Sequence, residues 1–423
     1  MKPNRWYWAV ALAIAIALPW LFFNWSTGKH SGFSVTLLSE IGLMIMFALS
    51  FNMQFGHTGL LSFGHAILFG LGGYCTAHAL NGIRAAEIWF PMELVPLSGG
   101  LGGLAFGIFF GYLATKQRAT AFAMITMGLG ELVTAAALMF MTFFGGEGGV
   151  STDRVIEASF LGLDYASPIQ VYYLIVGWGF VSIVLMKLQT QTPLGRMANA
   201  QRDNFERTQF VGYDPRLIRF YQFALSGFFA GIAGGLFLIL HEIVTFDAVA
   251  ATKSAAALIA TYIGGAGGFF GPIVGAIVVV VMQSGVSLLS SAWLLYLGAL
   301  FIVMVMFAPG GITGLMALHA PIARIGRLGE LAVPYLRILV PGLACLAGFV
   351  LLVELASFTT IGSAQGKDFT VFGQALDAAS PIPWLAGFVL LVVGGLWLKA
   401  ESRVFARTWN ALIEQAKAEG GAR

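Results

Sequence analysis

The feature that most constrains this chain is a succession of apolar runs, each long enough to cross a lipid bilayer and nearly free of charge. A hydrocarbon layer about 30 Å thick takes about 20 helical residues to cross. Inside it every backbone N–H and C=O must be paired within the protein, which admits only helices and closed barrels. The runs here are continuous rather than alternating with period two, so they predict helices. They stand at about residues 6–23, 35–53, 61–80, 97–113, 121–144, 171–188 and 220–240, within 254–283, up to Phe307, and again at 335–355 and 384–398. With 58% hydrophobic and 10% charged residues, the expected class is an all-α polytopic membrane protein. The formal net charge of +3 is spread over loops and offers no footprint for nucleic acid. Cys75 and Cys345 each lie inside an apolar run and read as small buried hydrophobes rather than a disulfide or metal ligands.

Charge asymmetry sets the expected orientation. Lys2 and Arg5 precede a first run that ends in Pro19-Trp20 without a small-residue cleavage site, which predicts an uncleaved span starting from the cytoplasm. Lys116 and Arg118 then fall inside. Glu147, Asp153, Glu157 and Asp164, against the single Arg154, fall outside, and the arginines of 192–219 fall inside. Treated as one span, 254–283 would leave Arg324 and Arg327 outside, against the bias. Splitting it at Gly264–Gly268 into a short helix and a full one restores the sign. The result is about ten crossings in residues 1–318, a basic connector at 319–334, and two more crossings in 335–423. These last two flank a polar segment with Lys367, Asp368 and Asp377, and a tail with Arg403, Arg407, Lys417 and Arg423 returns to the cytoplasm, where both termini are expected.

Three groups of residues stand out against this background. The long polar interruption Thr192–Phe220 reads as an N-cap at Thr192, a first helical position at Pro193 and a residue just past the helix end at Gly212, predicting one helix of about four turns. Asp214-Pro215 restarts the chain as a second helix. The first carries Arg196, Arg202 and Arg207 against Asp203 and Glu206, too polar to span and too weakly amphipathic to lie on a bilayer, so it predicts a docking element for another protein.

The second group is a pair of glycine-rich interruptions, Gly56 to His65 and Gly264 to Gly275. Paired breaks in corresponding halves predict discontinuous helices around a translocation path, against the alternative of close packing through small residues. Asn52, Gly59, Ser62, Gly64, His65, Thr126, Glu131, Gly264, Gly265, Gly267, Gly271 and Pro272 are the candidate path and gating residues. The third group is the intramembrane polar set Glu40, His65, Glu131 and Glu354. A charged group at mid-bilayer costs about 2.5–3.5 kcal/mol on insertion scales, so Glu131, the deepest, is expected to line a path or bond a neighbouring helix, whereas Glu40 and Glu354 lie nearer run ends and can snorkel.

Seven segments in order carry a family resemblance. LSFNMQFGHTGLLSFGHA, FAMITMGLGE, GGEGG, TPLGRMANAQRDN followed by Gly212, ALSGFFAGIAGGL, YIGGAGGFFGPIVGA and FAPGGITGL together resemble the branched-chain amino acid ABC transporter permease family, specifically its M-type subunit, over about Phe33 to Leu315. The resemblance implies an ABC importer permease core of about ten helices in a bacterial inner membrane, with two extra C-terminal transmembrane helices here. It makes residues 192–219 similar to the loop by which importer permeases sit on their ATPases, and so assigns Pro193, Gly195, Arg196, Arg202, Asp203, Arg207 and Gly212 to coupling. On that reading Arg202 and Arg207 pair with acidic groups of the ATPase, and Gly212 permits the sharp exit into the next span.

The implied partners are a homologous H-type permease, two ABC ATPases and a periplasmic substrate-binding protein. The implied cargo is a branched-chain or hydrophobic amino acid, or a related small amide or carboxylate. The chain departs from the family at Leu60, where a glutamine or similar polar residue is usual, and in continuing for about a hundred residues past FAPGGITGL. It contains no G-x-x-x-x-G-K-[ST] loop, so ATP and Mg are expected in partner subunits, and no cofactor or enzymatic activity is expected in this one. The competing reading, an ion-coupled secondary transporter, calls for paired ionisable residues at several mid-span positions, which only Glu131 and His65 approach.

Overall fold

The computed structural model describes residues 5–24, 29–155, 158–362, 370–371, 374–375 and 380–421. Lys2, Glu157, Lys367, Asp368, Asp377 and Arg423, which entered the charge reading, lie outside the described residues. The chain is all-α, its few strands being two-residue pairs, and it divides into two compact units. One comprises Met1–Val281 with Phe301–Thr313, the other Met282–Leu300 with Gly314–Arg423.

The first unit contains α1 (Arg5–Ala17), α2 (Gly32–Thr58), α3 (Ala66–Ala85), α4 (Val95–Ala114), α5 (Ala119–Met139), the single-turn α6 (Met141–Phe144), α7 (Pro168–Gln189), α8 (Pro193–Asp203), α9 (Phe205–Phe210), α10 (Pro215–His241), α11 (Ala251–Gly264) and α12 (Gly271–Val280). At its centre α10 packs on α2, α3 and α4. The approach to α4 is close because glycines face one another: a Cβ at Gly227 or Gly231 would strike the backbone of Gly103 or Gly99. Between helices in lipid, where no hydrophobic force draws them together, such backbone-to-backbone packing supplies the association energy.

Both glycine-rich interruptions are breaks. Gly59 ends α2 in the left-handed region with φ 70°, and the chain folds back until the His65 ring stacks on Phe47, three turns earlier on α2. Helix α3 therefore starts at Ala66 rather than near Leu61, beside the middle of α2, where its first N–H donates to Ser254 Oγ on α11 at 2.8 Å. The second break, residues 265–270, separates α11 from α12, which returns alongside it with Gly275 against Ala260 and Gly271 against Gly264. Two further differences have local causes. The helix expected over Thr192–Gly212 is two helices, because Asn204 leaves helical geometry and its side chain caps α9 by accepting from Arg207 N at 2.9 Å. The run 121–144 likewise breaks at Phe140.

The two ends of this unit differ in charge. Lys187, Arg196, Arg202, Arg207, Arg216 and Arg219 gather around α8, α9 and the start of α10. The opposite end carries Glu93, Glu147, Asp153, Asp164, Glu242 and Asp247, and is closed by a strand pair, Val150–Ser151 with Ile243–Val244. There Arg154 donates to the Tyr165 and Leu240 carbonyls at 3.0 and 3.1 Å. Glu93 accepts from Ser159 Oγ at 2.6 Å and from Tyr165 OH at 3.0 Å. Burial, then the bond to Glu93, pushes the Tyr165 phenol above its ordinary range, so it remains a donor.

The second unit contains most of α14 (Gly311–Arg324), the start of α13 (Trp293–Phe307), α15 (Ala332–Ser357) and α16 (Pro381–Gly421). Helices α15 and α16 run antiparallel through Gly348, Gly387 and Gly394. Tyr296 OH donates to Glu354 at 2.6 Å, so this carboxylate is paired rather than snorkelling. Ile322 and Leu331 pack on Leu412 of α16. At 41 residues α16 is about 60 Å long, twice what a bilayer needs, and its part beyond Leu398 turns polar.

By length and composition 8 described helices can cross a membrane, or up to 9 if the bent pair α13–α14 is one span. The remaining runs of the sequence reading are α1, which is short; α11, of 14 residues; and α3, whose His78, Asn81 and Arg84 dilute its apolar character. Packing against α4 and α10 lets α3 be less apolar than a lipid-facing helix.

Candidate functional site

The polar segment is seated on the first break. Thr192 Oγ1 accepts from Gly195 N at 3.2 Å, and Pro193 occupies the first position of α8. Gly195 lies so close to the Gln189 and Thr190 backbone that a Cβ there would collide. Helix α8 thereby crosses the end of α2. His57 Nδ1 donates to Asn199 Oδ1 at 3.1 Å. Arg202 Nη1 donates to the Gly56 carbonyl, and the aliphatic stem of Arg202 covers Gly59. The remaining partner of Arg202 is Asp203, at 3.1 Å and largely exposed. Within this chain Arg202 thus points inward. Arg196 and Arg207 are exposed, as is Phe210 at 88%. Gly212, φ 90°, makes the turn into α10. Phe205 is clamped between Arg118, 3.2 Å from its ring centre, and Arg219 at 5.9 Å, which ties α9 to the span ends.

One step deeper, His65 is fully buried and bonded on both ring nitrogens: Nε2 lies 2.9 Å from Ser50 Oγ, Nδ1 3.2 Å from Gln54 Nε2. Ser50 Oγ spends its proton on the Phe47 carbonyl and Gln54 Nε2 can only donate, so the ring is the neutral tautomer with its proton on Nε2. Gln54 Nε2 also donates to Ser226 Oγ at 2.5 Å, joining α2, α10 and the break in one network. Phe63 N donates to Thr126 Oγ1 at 3.2 Å, and Gly64 abuts the Thr126 backbone, which fastens the break to α5. Ser62 Oγ, Asn52 Oδ1, Gln54 Oε1 and both amide atoms of Gln222 are buried without a hydrogen bond, an unusual concentration of orphaned polar atoms.

The two breaks meet. Asn52 Nδ2 donates to the Gly268 carbonyl at 3.3 Å, and Gly56 lies against the Ala266 carbonyl. Gly265, φ 113°, and Gly264 are packed against Gly310 and Gly311, and Thr313 Oγ1 donates to the Gly264 carbonyl at 2.8 Å. Gly267 faces open space, and Gly271 and Pro272 start α12. Lys187 at the end of α7 stands 4.8 Å from the Phe269 ring centre. Coupling segment, first break and second break are therefore contiguous: α8 holds Gly56 from one side, residues 266–268 from the other.

Glu131 stands apart from this group. It is at the middle of α5, on the exposed side with Met124, Met127 and Leu132, with no hydrogen bond or ion pair among the described residues, while Thr126 faces the interior. Sequence reasoning missed Asn199, Phe210, His241, Ser254 and Lys253. Only the Lys253 ammonium, at the head of an apolar run, left a visible signal.

The comparisons with known proteins agree with one another. The family described as "Branched-chain amino acid transport system / permease component" matches residues 33–309. The Escherichia coli high-affinity branched-chain amino acid transport system permease protein LivM is 27% identical over 326 residues, 71% of this chain and 73% of that one. The Salmonella typhimurium protein of the same name is 26% identical over 324 residues, with the same coverage. A probable branched-chain amino acid transport permease protein LivM of Methanocaldococcus jannaschii is 23% identical over 250 residues, 51% of this chain and 70% of that one. No solved structure matches the chain significantly.

Proposed function

This chain belongs to the branched-chain amino acid permease family, and from that premise we propose that it is the M-type transmembrane subunit of an ATP-driven importer that carries leucine, isoleucine and valine inward. The supporting observation is the seating of α8 on the α2 break, through Arg202 to Gly56 and His57 to Asn199. A chain without a phosphate-cradling loop needs an outside source of work, and here the water-facing polar segment is bonded directly to the discontinuous helices. The basic end is cytoplasmic by the positive-inside rule, with both termini on that side and the acidic, capped end toward the periplasm.

The complex adds a homologous H-type permease, two ATPases that hold ATP and Mg, and a periplasmic binding protein. Closure of the ATPases pushes on α8 and α9, through exposed Arg196, Arg207 and Phe210. Arg202 and Asn199 pass the displacement to the end of α2, and Asn52 passes it to residues 266–268. These short bonded links between rigid helices suit switching between two discrete arrangements. Glu131 faces the path shared with the partner permease, because a mid-span carboxylate is too costly to leave toward lipid.

The test is reconstitution of this chain with those partners in proteoliposomes. Leucine uptake that requires ATP and stops with vanadate is expected. Uptake by this chain alone, driven by an ion gradient, would establish the secondary-transporter reading instead.

A further inference from the structure

Three ionisable side chains at membrane depth take no part in the coupling route: Glu40 on α2, His241 at the end of α10 and Lys253 in the first turn of α11. Thr261 Oγ1 against the Ala48 carbonyl at 3.4 Å and Asn52 against Gly268 align α11 with α2 in the same direction. Lys253 accordingly stands level with Glu40, about two turns below the acidic-end start of α2. His241 Nε2 is 3.8 Å from Glu40 Oε1, beyond hydrogen-bond length, and makes no hydrogen bond. Lys253 Nζ is 4.6 Å from the Phe237 ring centre and 5.5 Å from that of Phe69, and the His241 ring lies 4.5 Å from Phe237. The Glu40 and His241 side chains each keep 31% of their surface exposed, so neither is sealed inside this chain.

Ionisable groups at membrane depth are costly, and here an imidazole nitrogen without a hydrogen bond stands 3.8 Å from a carboxylate oxygen, with the Lys253 ammonium over the same Phe237 ring that the imidazole meets. Helix α11 begins at the same place with Ala250 as its N-cap, which offers no side-chain acceptor to the first-turn amides. We propose that Glu40, His241 and Lys253 form a receiving site for the charged groups of an α-amino acid: Glu40 takes the α-ammonium, while Lys253 and the first turn of α11 take the α-carboxylate. Phe237 walls the site on its apolar side. The proposal rests on the amino-acid importer reading and extends it to a location on this subunit. A purely structural cluster would hold α2, α10 and α11 together and bind nothing.

The two are separated by ligand protection in the importer with its binding protein left out, and by uptake with the binding protein present, in a chain carrying Cys75→Ala and Cys345→Ala. With Lys253→Cys, leucine at about ten times its Kd is expected to slow modification by aminoethyl methanethiosulfonate on the order of tenfold, the fraction of sites then left free being about a tenth. Leucine is the probe; isoamylamine and isocaproate, with one charge each, are expected to protect less. Attachment of the positive aminoethyl group should restore uptake, and a negative sulfonatoethyl group should not. If Lys253→Cys fails to assemble, Thr252→Cys, exposed one residue away, carries the same measurement. Absence of leucine protection in a complex that still takes up leucine would overturn the site. Absence of leucine uptake by the unmodified complex would overturn the importer reading instead.

Discussion

Arg202→Ala isolates the step at which work enters the membrane part. It removes the guanidinium bond to the Gly56 carbonyl and the stem that covers Gly59, and leaves the His57–Asn199 hydrogen bond between α8 and α2 in place. A hydrogen bond from a charged donor is worth about 1.5–3 kcal/mol when shielded. The Arg202 side chain is 37% exposed, and its other partner, Asp203, is 69% exposed, so the ion pair adds almost nothing. Solvent screening brings the expected loss of coupling to about 1–1.4 kcal/mol, or about five- to tenfold in leucine transported per ATP. The assay is paired uptake and phosphate release in proteoliposomes, with ATPase co-purification as the control for assembly. Because Arg202 faces α2, co-purification should be unchanged. Asn199→Ala should weaken the same ratio, and the double variant should deviate from additivity, since both side chains anchor one helix to one helix end. If instead Arg202→Ala releases the ATPases, the arginine serves the intersubunit contact and the inward route is refuted.

Four further outcomes follow from the same geometry. His65→Leu takes one of two hydrogen-bond partners from each of Ser50 Oγ and Gln54 Nε2 in a buried site, leaving them bonded to Phe47 and Ser226, and should lower stability in detergent by about 1–3 kcal/mol, read as a fall in the thermal unfolding midpoint, with His65→Gln milder. Gly275→Leu drives a side chain into the Ala260 carbonyl, and should abolish uptake while ATPase capture persists, measured by pull-down. Phe210→Ala, at a position 88% exposed, should leave the permease fold intact yet weaken ATPase capture about tenfold, as truncation of an aromatic anchor does. Glu131→Leu would stabilise the chain by about 2.5–3.5 kcal/mol if the carboxylate faced lipid; no gain and a clear loss of uptake are expected, and a stabilised, active variant would place α5 against lipid.

The class of fold was legible because bilayer crossing imposes length and apolarity on each segment independently of its neighbours. The positions of both breaks were legible for a related reason: clustered glycines at membrane depth have few uses, and the chain reverses at Gly59 and Gly265 through positive φ angles that other residues resist. The caps at Thr192 and Asp214 and the exit at Gly212 follow from local chemistry alone. What depends on one residue capturing another was not legible. Asn204 splits the coupling helix because its side chain competes for the Arg207 amide, a contest that propensity summed over the whole segment obscures. The direction of Arg202 was hidden more deeply, since an arginine in a polar loop is ordinarily a solvated charge, and only the proximity of Gly56, 146 positions earlier, turns it inward.

That inward turn changes where the site lies. If the arginines of 192–219 were all contacts for a motor, the breaks at 59–65 and 265–270 would be remote from the work and would need some separate link to it. With Arg202 on Gly56 and Asn52 on Gly268, both ends of the link are on α2, within a single turn of each other. One turn of helix is too short and too well bonded to absorb a displacement, so a push on α8 that does not move residues 266–268 must break a hydrogen bond. The glycines at 264, 265 and 271 then matter for packing as much as for flexibility. They let α11, α12 and the Gly310–Gly311 turn approach so closely that residues 266–268 can follow α2 only together with that turn.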